Sequence, residues 1–438
     1  MGENNYKYPG DLARTVNSYL TDISDKSMEV LPMGVLKNLF EVMYFSSLKT
    51  EESDSIRCTI TYLNPDNPDP KPPKRIVKDR WSAIKFKETI DFSISNLVKL
   101  SKAADPKASS LAVYHKNEGL IIWGMIDQEH NYYNYILNES ESGPERPGVF
   151  QATINDIGDI SVFRGYTMIA NYKQNLILDK QIDIFTTGPV SNLLDGHISN
   201  IRENVRKKVG SEIYDAWDHW DNILTDDWYI IICRLLINIQ SYRHGGAILI
   251  DPNKPGKDLN IKYKIEYNRL FKLILEYGEY NVLKNYYEGL IFENYYGTEK
   301  DLPILLHNEL QILNYEKDDI VAGITGSLRY ISSLTCVDGL VLLDNNLKVN
   351  GFGVEITTTK QPEKIYISED KDAAPHLLRE GNYNHFGTRH RSMMRYCNQN
   401  PGSIGFVISQ DGDIRAITKI DGRLIIWENI KVLYNTEN

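Results

Sequence analysis

The second half of the chain is governed by short apolar runs separated by turn residues that no helix absorbs. SIGFVIS, DIRAITK and RLIIW are divided by Asp411-Gly412 and Asp421-Gly422. Asp-Gly between β-rich runs is a strong hairpin signal, because both residues accept the positive φ that a tight hairpin turn demands. Upstream, Gly245-Gly246 leads into AILI, and GLVLL is followed by a turn at Asp344-Asn345-Asn346 and then by LKVNGFGVEI. Between these strands, residues 263–335 read mostly as helix. The last helix sets Ile320, Ile324, Leu328, Ile331 and Leu334 along one stripe. Strands that bracket long helices predict a mixed central sheet flanked by helices, an α/β domain over residues 231–438.

The first half reads differently. Leu31, Val35, Leu36, Leu39, Phe40 and Met43 recur at helical intervals within residues 1–60. Prolines turn residues 63–73 into an extended loop. From about 108 to 188 the pattern is β, with LAVYH and GLIIWGMI flanking a hairpin-length connection at Lys116-Asn117-Glu118-Gly119. Residues 189–240 are helical, with Trp217, Trp220 and Trp228 near one face. The expectation is an α+β domain over 1–230. Lys74, Arg75, Lys78, Arg80, Lys85 and Lys87, interleaved with Trp81 and Phe86, would suit single-stranded nucleic acid, or equally a solvated face.

Composition narrows the function. The 438 residues include 49 basic and 59 acidic side chains, a net charge of −10, which argues against coating duplex DNA or an anionic membrane with the whole surface. No apolar run approaches the roughly 18 residues of a membrane span, and no membrane is expected as a partner. The opening MGENNYKYPGDLART lacks an apolar signal core. The four cysteines (Cys58, Cys233, Cys336, Cys397) form no CxxC pair, so neither zinc nor a disulfide framework is expected, and a reducing cytoplasm is the expected location.

The chemistry concentrates in Gly387-Thr388-Arg389-His390-Arg391-Ser392, which opens a helix expected over 389–399 with Thr388 as its N-cap. Cations in a first turn oppose the helix dipole, whereas free N–H groups and guanidinium forks at one point suit a phosphate. Salt bridges to another segment, or a solvated basic turn, would also account for them. Asp338-Gly339 joins the striped helix to GLVLL. A carboxylate there could hold a divalent metal or take a proton from a hydroxyl. Ser409-Gln410-Asp411 ends the FVIS strand, either lining a site or closing a turn. His244, beside Gly245-Gly246, reads as a helix-end or packing histidine, whereas His385 lies just before the Arg-His-Arg helix and could join the site.

In the order GGAILI, helices, VDGLVLLDNNLKVNGFGVEI, GTRHRS and FVISQDGDIRAI, residues 240–430 resemble the catalytic domain of the diadenylate cyclase (DAC) family, which joins two ATP into cyclic di-AMP. The resemblance implies a DAC-like α/β fold and the following roles. Asp338 activates a ribose 3′-hydroxyl, and His390 orients a metal-bound triphosphate, with Asp338 and His390 as the ligands of Mg2+ or Mn2+. Gly387, Thr388, Arg389, Arg391 and Ser392 bind phosphates. Gly339 and Leu340 lie against the nucleotide, Phe352 and Val354 flank the adenine, and Ser409 and Gln410 face the phosphates. Each ATP would sit in one subunit, so catalysis implies at least a homodimer. Leu340 stands where the family has Ala, and Ser409-Gln410-Asp411 where it has Ser-Glu-Glu. Both departures favour the alternative, a nucleotide-binding sensor with a DAC-like fold and no turnover. The arrangement of residues 1–230 ahead of such a domain resembles DACNV-type sensor regions that regulate nucleotide synthesis in bacterial conflict systems, which implies antiviral defence and an unidentified sensed ligand.

Overall fold

A computed structural model of the chain describes residues 6–432, apart from 23–30, 70–71, 73, 75–79, 117–118, 129–133, 136–149, 166, 174, 179–180, 218, 253–257 and 297–301. The chain divides into two compact units that meet between Gln181 and Ile182. The division falls earlier than the expected 230/231 because the helices after residue 188 pack within the second unit.

The first unit contains α1 (Pro9–Asp22), α2 (Met33–Ser47) and α3 (Ile94–Ser101), with a two-stranded ribbon, β1 (Thr50–Glu51) and β2 (Asp54–Ser55). An eight-stranded sheet follows the order β10-β9-β8-β7-β3-β5-β6-β4. Its strands are β3 (Cys58–Tyr62), β4 (Ser82–Asp91), β5 (Ser109–Lys116), β6 (Gly119–Asp127), β7 (Phe150–Asp156), β8 (Asp159–Arg164), β9 (Thr167–Lys173) and β10 (Leu176–Leu178). Strand periodicity sorts the two faces. Cys58, Ile60, Leu111, Val113, Ile154 and Val162 pack with Leu36, Leu39, Phe40 and Met43 of α2, as the helical spacing predicts. The alternate residues form a hydroxyl and amide ladder: Thr59 with Thr153 at 2.9 Å, Thr61 with Ser110 at 2.6 Å, and Gln151 Nε2 to Thr61 Oγ1 at 2.7 Å. Residues 117–118, and Arg75 and Lys78 of the basic stretch, lie outside the described residues. Within that stretch Arg80 pairs with Asp69 and lies 5.0 Å from the Trp81 ring centroid.

The second unit contains α4 (Pro189–Val209), α5 (Trp220–Ser241), α6 (Arg269–Tyr295), α7 (Ile304–Leu334) and α8 (Thr388–Gln399). They flank a nine-stranded mixed sheet of order β12-β14-β13-β11-β17-β18-β19-β15-β16. The strands are β11 (Gly246–Ile250), β12 (Leu259–Tyr263), β13 (Leu340–Leu343), β14 (Val349–Ile356), β15 (Ile365–Ser368), β16 (Leu378–Gly381), β17 (Ile404–Ile408), β18 (Ile414–Ile420) and β19 (Arg423–Trp427). An α+β unit is thus followed by a helix-flanked mixed sheet, the coarse architecture that the periodicity predicts. Met393, Met394, Tyr396 and Cys397 of α8 pack on Leu249, Leu342, Val407, Ile417 and Ile426 from one face of this sheet. On the other side, α5 packs against β17 and α7 against β14. The α7 stripe is realised, with Ile324, Leu328, Ile331 and Leu334 buried. Of the three tryptophans, Trp220 and Trp228 are buried in α5, whereas Trp217 precedes that helix and is exposed.

Candidate functional site

Sheet register brings the distant motifs together. β11 runs parallel to β13, with Ile248 opposite Val341, and antiparallel to β17, with Gly246 opposite Ile408. The starts of β11 and β13 and the end of β17 therefore share one edge. Gly245, Asp338-Gly339 and Ser409-Gln410 lie along it, and two strand spacings separate the backbones of Asp338 and Ser409 by about 10 Å. Backbone geometry demands glycine at two of these positions. Gly339 has φ +114°, and a Cβ there would sit 2.6 Å from the Gly353 carbonyl carbon. Gly245 has φ +70°, and its Cβ would sit 2.9 Å from Arg389 Nη1 and 3.2 Å from the Gln410 nitrogen. That second contact fixes where α8 meets the edge, because the Arg389 guanidinium lies against the Gly245 backbone.

The start of α8 is cationic and open. Its N-cap is Gly387, which supplies no side-chain cap, so Thr388 is the first helical residue and not the cap. The first turn contains no acidic side chain, and its N–H groups lack intrahelical acceptors. A Cβ at Gly387 would meet nothing within 4 Å. Neither the Arg389 nor the Arg391 guanidinium has a carboxylate partner among the described residues, and Arg391 Nε is buried with no hydrogen bond at all. Arg395, one turn further on, is already engaged: its Nε donates to Thr358 O at 2.8 Å and its Nη1 to Tyr383 Oη at 3.0 Å. Among the described residues, Arg389 and Arg391 thus differ from Arg395, whose guanidinium is held by Thr358 and Tyr383.

His390 is half-buried and neutral. Burial is the main cause that takes its imidazole from the usual 6.5 down to about 4; Arg415 and then Arg389 add to the fall, and Asp413 partly opposes it. Arg415 Nη1 lies 3.2 Å from His390 Nε2, and Arg415 Nε donates to Glu428 Oε1 at 2.9 Å. Arg415, Glu428 and Gly245 escape sequence reasoning, because their part depends on cross-strand register. For Arg415 the one visible signal is a cation between the apolar residues Ile414 and Ala416.

The remaining candidates sort by what they already do. Asp338 is exposed and has no hydrogen-bond or ion-pair partner among the described residues. Ser392 donates to Arg389 O at 3.0 Å, and Ser409 Oγ accepts from the Asp413 nitrogen at 3.0 Å, closing the turn into β18. Gln410 is exposed. Leu340 and Val354 are buried in the core under α8, so what they turn to the edge is backbone. Phe352 stacks on Tyr263 of β12, with ring centroids 4.7 Å apart. His385 bonds Asn382 within its own turn, and His244 is exposed. Among the described residues, no group of three or more His, Cys, Asp or Glu side chains converges as metal donors. Mg2+ and Mn2+ need few protein ligands when phosphates complete the shell, and the free Asp338 carboxylate fits that role. His390 fits it poorly, because the cationic Arg415 Nη1 lies 3.2 Å from its Nε2.

With this geometry in place, comparison with known proteins gives one assignment. Residues 26–127 match the family model described as "Probable sensor domain DACNV". The match runs from the approach to α2 through β6, inside the first unit, and leaves β7–β10 outside it. No curated protein matches the chain. Among the described residues no helix is long and apolar enough to cross a membrane.

Proposed function

We propose that the second unit is a nucleotide-binding module with a DAC-like fold, which holds a triphosphate at the start of α8 and works with the DACNV-type stretch ahead of it as a sensor. The observation that carries this reading is the uncapped first turn of α8, where among the described residues Arg389 and Arg391 have no carboxylate partner and Arg391 Nε is buried unbonded. Backbone N–H groups and guanidinium forks would share the phosphate oxygens. ATP is the expected ligand, with Mg2+ or Mn2+ arriving on its phosphates to neutralise their charge, and Asp338 is the side chain placed to meet that ion. The setting we propose is a cytoplasmic bacterial defence system.

The second reading is turnover, favoured by the unengaged Asp338 carboxylate on the same sheet edge as Arg389. In a homodimer, or a larger oligomer, with two sites facing, Asp338 would take the proton from a ribose 3′-hydroxyl. That oxygen would bond to the α-phosphorus of the other ATP and pyrophosphate would leave, a reaction catalysed chiefly by positioning and charge neutralisation. The chain would then be a diadenylate-cyclase-type nucleotidyltransferase that makes cyclic di-AMP as a second messenger.

One experiment separates the readings. Purified protein is titrated calorimetrically with ATP, then incubated with ATP and with all four ribonucleotides plus Mn2+, and the products are weighed by mass spectrometry beside Asp338→Asn. Binding with no product supports the sensor. A cyclic dinucleotide lost in Asp338→Asn establishes the cyclase. Absence of binding by the wild-type protein refutes both.

A further inference from the structure

Arg415 belongs to none of the motifs, yet it is the residue most firmly held beside the first turn of α8. Its Nε donates to Glu428 Oε1 at 2.9 Å, and Asp413 Oδ2 is 3.9 Å from its Nη2. Its guanidinium carbon lies 6.0 Å from the centroid of Phe386, whose ring is 5.9 Å from the imidazole of His390. What remains is Nη1, aimed at His390 Nε2 from 3.2 Å.

A guanidinium carries five donors and no acceptor. The contact with Nε2 is therefore a hydrogen bond only if that nitrogen offers its lone pair; an Nε2–H would set donor against donor. The neutral ring must then carry its proton on Nδ1. Metal-bound histidines show the reverse arrangement, in which the nitrogen that does not ligate donates its N–H to a carboxylate, a carbonyl or water while the other keeps its lone pair for the metal. Here the outer partner is a donor, and no lone pair is left for an ion. The charged groups that act on the ring are Arg389 on its own helix and Arg415 and Asp413 at the start of β18. Two of these three are cations, which suits an anion in front of the ring and opposes a metal ion.

We infer that Arg415 is a positioning residue that locks His390 as the Nδ1–H tautomer, so that His390 donates to a phosphate oxygen and does not ligate the nucleotide's metal ion. The phosphate role rests on the nucleotide-binding reading above; the tautomer does not. Asp338 is then the site's protein ligand for any Mg2+ or Mn2+ carried in on the triphosphate.

The test uses full-length protein labelled with 15N at histidine, one of whose nine histidines is picked out by its loss in His390→Gln. The expected spectrum of the wild type shows one-bond N–H coupling at Nδ1 of His390 and a lone-pair nitrogen at Nε2. In Arg415→Gln the two tautomers should mix, and affinity for inorganic tripolyphosphate should fall about tenfold. Pulsed electron paramagnetic resonance of the Mn2+–ATP complex should show no directly bound imidazole nitrogen. An Nε2–H in the wild type, an unchanged tautomer in Arg415→Gln, or a manganese-bound nitrogen that vanishes in His390→Gln would each overturn the inference. If Arg415→Gln does not fold, the wild-type spectrum and the manganese measurement still decide it. Failure of the wild type to bind ATP or tripolyphosphate would refute the phosphate reading alone, since the tautomer is read without ligand.

Discussion

Gly245→Ala separates the structural demand at the sheet edge from the ligand's demand. With φ at +70°, an alanine there adopts the left-handed conformation at a cost of about 1–2 kcal/mol. Its Cβ would also lie 3.1 Å from Ile408 O and 3.2 Å from the Gln410 nitrogen, contacts that a shift of a few tenths of an ångström relieves. A total near 2 kcal/mol lowers Tm by roughly 4–8 °C for a unit of this size. The contact at 2.9 Å is different, because its far partner is Arg389 Nη1, the end of a flexible side chain. The guanidinium swings away at little cost to folding and leaves the phosphate site. Losing a charge-assisted hydrogen bond worth about 1.5–3 kcal/mol weakens triphosphate binding roughly 10- to 150-fold. Calorimetric titration with ATP and thermal melts measure the two effects. Arg389→Ala should show the affinity loss with little change in Tm. In the double variant, the Gly245 change should lower Tm without a further loss of affinity. Additive affinity losses in the double variant, or full affinity in Gly245→Ala, would refute the placement of Arg389.

Gly339→Ala should be harsher, because its Cβ would meet backbone atoms of Gly353 and Val354 at 2.6–2.9 Å. β13 and β14 must then part, and urea melts should show a loss above about 3 kcal/mol, or no folded second unit. Protonation of His390 should make stability depend on pH. Its pKa is depressed to about 4 in the fold, so its contribution is full above about 6.5 and is lost as pH falls from about 6.5 to about 4. For a half-buried ring the loss is about 1–3 kcal/mol, read as the difference between wild type and His390→Gln in melts at pH 7 and pH 5. In the first unit, Thr61→Val removes the bonds to Ser110 and Gln151. It should cost about 1–3 kcal/mol in chemical denaturation, because buried polar partners are left unsatisfied; a neutral result would mean that the ladder is dispensable.

What the sequence reveals of this fold follows how local each determinant is. The turn at Asp421-Gly422 is legible because its constraint lies in the two residues themselves, which take φ +48° and φ +79° as a tight hairpin requires. The α7 stripe and the apolar face of α2 are legible because burial repeats with the helical period. The start of α8 is legible to within one residue, since Thr388, Arg389, His390 and Arg391 are consecutive, but its cap is Gly387 and not Thr388. β15 and β16 carry no such signal: IYIS pairs in parallel with β19, a partner more than fifty residues away in sequence, and nothing local announces it. The boundary at Gln181 is hidden because nothing local in the helices after residue 188 says which unit they pack with. Arg415 is hidden because its bond to His390 depends on Val407 facing it across the β17–β18 ladder and on α8 crossing above. Gly245 could be read as a turn, but not as the floor beneath a guanidinium.

The energetics of the first turn of α8 give the site its direction of response. Each cation near a helix N-terminus costs about 0.3–1 kcal/mol, so Arg389 and Arg391 burden the free unit by about 0.6–2 kcal/mol, and no acidic side chain of that turn offsets it. In the nucleotide-binding reading, a bound triphosphate would attract both the helix dipole and these cations and so offset that cost. Ligand at a hundred times its Kd also adds about 2.7 kcal/mol to the bound unit by mass action. In that reading the free and occupied states would differ in stability by more than a surface salt bridge supplies, with the difference concentrated on the loop Phe386-Gly387 and the edge that includes Gly245 and Ser409. Those are the segments whose protection from hydrogen exchange should rise on nucleotide binding. In the sensor reading, this local ordering is the physical form that the signal takes, whether or not Asp338 goes on to do chemistry.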